Sequence, residues 1–214
     1  MVTIDHAIAL LNRIETGVPE MSSPRAAYPQ FPAPADPGPD GPWQHLHRRS
    51  IVTECFGGPD GSMRVVGLLL DDLSLPGSTY AGKHVPAGGN MHTMRVTMDV
   101  DSTLIIRSIR VEMQNTPGEP CVQIEDAYQA LVGLSVARGF NRAALERIGS
   151  FRGCAHVTTL IQQMAPAVIQ GVMTMIGDRP MTQGELKSLP NPCHIFRPEG
   201  RIYQDLEAKI AGNP

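Results

Sequence analysis

The stretch Met91-His92-Thr93-Met94-Arg95-Val96-Thr97-Met98-Asp99-Val100 decides the fold. In its second half Val96, Met98 and Val100 alternate with Arg95, Thr97 and Asp99. A period of two sends successive side chains to opposite faces, so this run reads as a strand with one dry and one wet face. Leu104 to Met113 reads as its partner, turned back through Asp101-Ser102-Thr103. Upstream, Arg48 to Phe56 and Met63 to Asp71 form another pair of β-rich runs. Gly57-Gly58-Pro59-Asp60-Gly61 joins them as a hairpin loop.

The second half of the chain changes period. Ile124 to Val132 reads as one helix, and Asn141 to Ile148 as another, with Asn141 as its cap and Gly149 as its stop. Val157, Leu160, Ile161, Met164, Val168, Val172 and Met175 trace a helical stripe that Gly177 ends. Pro166 should kink it, since proline removes a donor and crowds the preceding turn. A last helix spans roughly Ile202 to Ile210 around Leu206. Strands followed by helices predict an α+β fold, an antiparallel sheet of two hairpins packed against C-terminal helices.

Ahead of the strands, Ile4, Ala7, Ile8, Leu11 and Ile14 fall on one helical stripe, and eight prolines from Pro19 to Pro42 exclude regular structure after it. The expected division is an N-terminal helical arm (1–17), a Pro-rich linker (18–44) and an α+β domain (45–214). An apolar helix on a tether needs a surface, either its own domain or a second subunit. The expected arrangement is a homodimer joined through the arm.

Composition narrows the function. The apolar content of 42% with 18% charged residues describes a globular chain, and a net charge of −3 leaves no basic footprint for nucleic acid. The longest apolar stretch, Val157 to Ile176, is broken by Gln162, Gln163, Pro166 and Gln170, so no membrane span is expected. Met1 to His6 lacks the start of a secretory signal. The four cysteines therefore read as reduced thiols in a cytoplasmic protein.

The chemistry concentrates in Cys154-Ala155-His156 and Cys193-His194. Thiols and imidazoles bind soft metals, act as nucleophiles and move protons near neutral pH. As zinc ligands, one pair is separated by a single residue and the other is adjacent, unlike the usual structural spacing. His92 offers a further ligand. No metal or other cofactor is assigned. Cys154 at the start of the long helix would have its thiolate favoured by the exposed amides and the dipole, which gives a nucleophilic reading. A third reading is acid/base catalysis by His92, His156 and His194, with Arg48, Arg49 or Lys83 holding an anionic group. Asp71 and Asp72 end a strand and could orient one of these histidines, although paired acids at a strand end are usually solvated. The segment Ser74 to Asn90 carries Tyr80, Lys83 and His84, and a long irregular loop inside a compact domain is more often functional than accidental. Gly88-Gly89 lacks the strand–glycine–helix context of a phosphate loop, so no nucleotide is indicated.

His47-Arg48-Arg49, Asp60-Gly61, Gly67, Asp71, His92-Thr93-Met94, Ala127-Tyr128, Arg152-Gly153-Cys154-Ala155-His156 and Cys193-His194 occur in an order that resembles the bacterial domain-of-unknown-function family 2889. The resemblance covers about His45 to Arg201. Asp71-Asp72-Leu73 stands where the family pattern leads one to expect Asp-Thr-Lys. The resemblance implies a role in catabolism of lignin-derived aromatics, with a carbon–carbon lyase releasing formaldehyde as a natural reaction. On that reading His92, His156, Cys154 and His194 are the catalytic candidates. Arg49, Tyr80, Lys83 and His84 would hold a small hydrophobic aromatic substrate. A non-catalytic ligand-binding or accessory protein and a metal-dependent hydrolase are the alternatives.

Overall fold

Period-two patterning becomes four long strands and one short ribbon. They are β1 (His47–Gly57), β2 (Met63–Leu73), β3 (Gly77–Ser78), β4 (His84–Val85), β5 (Asn90–Val100) and β6 (Ile106–Asn115). The computed structural model describes residues 41, 43–137, 139–177, 181–188 and 194–212. The expected arm (1–17), nearly all of the linker (18–44) and Cys193 lie outside the described residues. The long strands make one antiparallel sheet in the order β1-β2-β5-β6, and β3 pairs with β4 inside the 74–90 segment. The sheet is thus the two expected hairpins laid side by side, with β2 and β5 in the middle.

Register follows the apolar pattern. Val65 faces Met98, Gly67 faces Val96 and Leu69 faces Met94 across β2 and β5. Val65, Leu69, Met94, Val96 and Met98 are all fully buried. A slip of one residue would turn this whole set toward the other face, at about 1.5–3 kcal/mol for each large side chain exposed. The last strand starts later than its apolar run. Asp101 Oδ1 accepts the amides of Thr103 and Ile105, and Leu104 is held at φ +65°. The turn consumes Leu104 and Ile105, so β6 begins at Ile106 rather than the expected Leu104.

The free edge of β6 is covered by a 3₁₀ helix, Glu119–Leu131, where an α-helix from Ile124 was expected. Glu125 accepts the Met113 amide at 2.6 Å and Gln129 donates to the Ile109 carbonyl at 2.6 Å. These side chains satisfy backbone groups that an edge strand would otherwise expose.

The helices that follow are α1 (Phe140–Ile148), α2 (Ala155–Ile176), α3 (Gln183–Ser188) and α4 (Arg201–Ile210). The cap of α1 is Gly139 at φ +88°, not Asn141, which lies inside the first turn. α2 continues through Pro166 as a single element, with Pro166 on its exposed side, and ends at Gly177. It packs on β2 and β1 through Leu160, Ile161, Met164 and Val168, all fully buried. Close approach depends on two glycines. A Cβ on Gly67 would lie 2.8 Å from Met164 Sδ, and one on Gly171 would lie 2.6 Å from Cys55 Sγ. No helix among the described residues is long and apolar enough to cross a membrane.

Candidate functional site

The face of the sheet under α2 is apolar along most of its length and turns polar at one end. On β2 the inward series Met63, Val65, Gly67, Leu69 is continued by Asp71. On β5 the series Val100, Met98, Val96, Met94 is continued by His92. On β1 the facing residue is Arg49, with His47 two positions further on the same face. Arg49, Asp71 and His92 therefore stand side by side on three neighbouring strands. The first turn of α2 lies over that row and adds His156, with Cys154 as the N-cap residue.

Asp71 is the centre of the cluster. Arg49 forks onto its carboxylate, Nε to Oδ1 and Nη2 to Oδ2, each at 2.7 Å. His47 Nε2 lies 3.1 Å from Oδ1, and His92 Nδ1 lies 2.9 Å from Oδ2. His156 Nε2 is 3.5 Å from Oδ2. The His92 and His156 rings stack with centroids 3.8 Å apart, and His156 turns its Nδ1 to Cys154 Sγ at 3.5 Å. Side-chain exposure rises outward, from 4% at Asp71 through 11% at His92 and 26% at His156 to 38% at Arg49 and 42% at His47. Solvent thus reaches the cluster from the β1 side and from the start of α2.

Charge follows from these contacts. Burial works against an ionised Asp71, but hydrogen bonds from Arg49, His92 and His47 outweigh it and hold the carboxyl well below the usual range. An ionised carboxylate only accepts, so the facing His92 Nδ1 donates to it, and Nε2 is the ring nitrogen turned away from that contact. His156 is held below the usual imidazole range by burial and then by the like charges of His92 and Arg49, with Asp71 opposing. It stays neutral at physiological pH.

Cys154 is fixed by its backbone. Its amide donates to the Tyr128 hydroxyl at 2.7 Å. Tyr128 is fully buried, and burial pushes its hydroxyl up to about 12, so it remains protonated. Gly153 lies in extended backbone against this contact. A Cβ there would run into the Ile148 carbonyl and come within 3.2 Å of the Tyr128 oxygen. That contact gives a steric reason for glycine before Cys154.

Of the residues singled out from the sequence, His92, Cys154, His156 and Arg49 come together. Lys83 Nζ is held by Asn115 Oδ1 and the Thr116 carbonyl, and His84 is exposed on β4. Tyr80 is largely exposed, with its hydroxyl 3.8 Å from Cys121 Sγ. His194 is exposed in a 3₁₀ turn, and its carbonyl accepts from Arg197. None of the contacts described joins Lys83, His84 or His194 to Asp71. From the sequence Asp71 was weighed as an orienting acid but read as a solvated strand end, and His47 entered only through the family resemblance, with no role. The signal for both was the period-two count, which places residues 47, 49, 71 and 92 on the same face as the core.

Among the described residues, Asp71, His92 and His156 form the one set of such side chains whose ligand atoms lie within 4.8 Å of one another, the place a metal ion would go. Arg49 already engages both oxygens of that carboxylate. An ion there would face a guanidinium on its own ligand, so the donor set fits a hydrogen-bonded hub better than a metal centre.

The fold and the site define an α+β protein with a buried carboxylate–imidazole hub between a sheet and the start of a long helix. The chain belongs to the family described as "Protein of unknown function (DUF2889)", which matches residues 47–170. That span holds His47, Arg49, Asp71, His92, Cys154 and His156, and it ends before His194. No curated protein and no solved structure matches the chain.

Proposed function

We propose that this chain is an acid/base enzyme of aromatic catabolism, a carbon–carbon lyase that releases formaldehyde from a hydrophobic lignin-derived substrate. The observation that carries this reading is the His92–Asp71 pair: Nδ1 is bound to the carboxylate at 2.9 Å, which leaves Nε2 as the basic nitrogen. In a retro-aldol cleavage Nε2 takes the proton of a hydroxymethyl group. The oxygen pair forms the carbonyl of formaldehyde, the carbon–carbon bond breaks, and its electron pair passes to the carbon next to the aromatic ring. His92 then returns the proton to that carbon. Asp71 stabilises the imidazolium in between, and Arg49 and His47 keep Asp71 ionised and oriented. Neutral His156 adds no second positive charge to the stacked pair. A cytoplasmic location and a homodimer joined through residues 1–17 belong to the same reading.

The test is formaldehyde release from a phenolic lignin dimer that bears a hydroxymethyl group. Loss of the general base should lower kcat in His92→Gln by about 10²–10⁴-fold while the protein stays folded. Equal release by wild type and His92→Gln would remove His92 from the chemistry. No release by the wild type would return the hub to ligand binding or a structural role.

A further inference from the structure

Cys154, His156 and Asp71 stand in series, and the acid/base reading uses the thiol for nothing. Cys154 Sγ is 3.5 Å from His156 Nδ1, and the opposite nitrogen of that ring is 3.5 Å from Asp71 Oδ2. A thiol, a base in contact with it and a third group orienting the base make the arrangement of an activated nucleophile. The rest of the environment agrees. Cys154 is the N-cap residue of a 22-residue helix, whose first intrahelical bond runs from the Thr158 amide to the Cys154 carbonyl. The amides of Ala155, His156 and Val157 therefore have no intrahelical acceptor. They and the helix dipole favour negative charge at this point. The Tyr128 hydroxyl fixes the Cys154 backbone, and the thiol is only partly buried. Cys55 gives the contrast: it lies against Gly171, and burial alone pushes its thiol up.

We infer that Cys154 is a nucleophilic thiol, served by His156 and Asp71, that adds to the carbonyl carbon of an aldehyde at the mouth of the hub. The S–H bond breaks and its proton goes to His156 Nδ1. The sulfur–carbon bond forms as the carbonyl π pair moves to oxygen, and that oxygen takes the proton back from His156. The product is a neutral thiohemiacetal, and the step needs no oxidant, reductant or third reactant. This inference shares Asp71 with the lyase reading but places the chemistry on Cys154 and His156, where that one places it on His92.

The test uses full-length protein, iodoacetamide and peptide-level mass spectrometry. Cys154 should alkylate at least about tenfold faster than Cys121 or Cys55. Benzaldehyde should protect it, and benzyl alcohol at the same concentration should not. His156→Gln should remove both the rate advantage and the protection, and Asp71→Asn should reduce them. Circular dichroism checks that each variant is folded, and Asn keeps the shape of Asp if the glutamine variant is not. A Cys154 rate no higher than that of Cys121, equal protection by both compounds, or an unchanged rate in folded His156→Gln would each overturn the proposal. Loss of lyase activity in His92→Gln with Cys154 reactivity intact would separate the two readings.

Discussion

The two ends of one sheet face show how differently the same architecture can be used. At the far end α2 meets the strands through Met63, Val65, Gly67, Met164 and Val168, and nothing but shape and dispersion decides the fit. At the near end the same face, strands and helix close over Arg49, Asp71, His92 and His156. An apolar contact tolerates exchange of one side chain for another of similar volume. A buried carboxylate does not, because removing it leaves a guanidinium and an imidazole facing a gap. The difference teaches that the polar end is held by mutual dependence and the apolar end by filled volume.

The largest effect should come from removing the carboxylate at the centre of the hub. Asp71→Ala should cost about 3–5 kcal/mol in urea denaturation, because Arg49 and His92 lose their shared acceptor. A loss under 1 kcal/mol would mean the polar end is no more coupled than the apolar one. At the apolar end, Gly67→Ala should cost about 1–3 kcal/mol, since the added Cβ must displace Met164 and Leu160. Pairing it with Met164→Ala should recover part of that cost, and strict additivity would show that the two residues do not compete for space.

A smaller effect separates the two ends by pH. The depressed pKa of His156 gives a stabilising contribution that is complete above the unfolded imidazole value of about 6.5 and is lost as pH falls through the folded one. The depressed pKa of Asp71 gives one that is complete above about 4 and lost below it. Stability from pH 8 downward should therefore fall in two stages. His156→Gln should flatten the upper stage and Asp71→Asn should shrink the lower, which Asp99 and Asp101 share, while Gly67→Ala should shift the curve without changing its shape. An upper stage that survives in His156→Gln would assign it to another histidine. The smallest change is expected far from both ends. Arg142→Ala, which breaks an exposed ion pair with Glu146 on α1, should cost about 0.3–0.5 kcal/mol in the same assay.

Metal content sharpens the comparison from the other side. Plasma mass spectrometry of protein as purified should find no stoichiometric transition metal, because Arg49 competes for the carboxylate. One ion per chain, lost in Asp71→Asn, would replace the hydrogen-bonded hub by a metal centre.

Much of this was legible in the residues. The alternation at Arg95 to Val100, the glycine-rich turn at 57–61 and the helical stripe from Val157 to Met175 each named an element that is present, because local pattern and turn chemistry suffice for that. Strand ends were less legible: β6 starts two residues late because the Asp101 side chain captures amides that the apolar run claimed. In the candidate site, Cys154 and His156 stood out by type and spacing. Asp71 and Asp72 were read together as solvated, yet neighbours on a strand face opposite ways. Asp71 points under α2, while Asp72 lies on the other face and accepts from Asn90 Nδ2 at 3.0 Å.

By itself the sequence determined the four long strands and the helices at 140–148, 155–176 and 201–210, which face of each strand is apolar and which side chains carry titratable or nucleophilic groups. Those properties depend on neighbours a few residues apart. Only the tertiary structure decided that Arg49, Asp71, His92 and His156 share one hub, while Lys83 is held by Asn115 and Thr116 and His84 and His194 stand exposed elsewhere. Contacts between residues 21 to 85 positions apart depend on strand order, register and the placement of α2, and no local pattern encodes those.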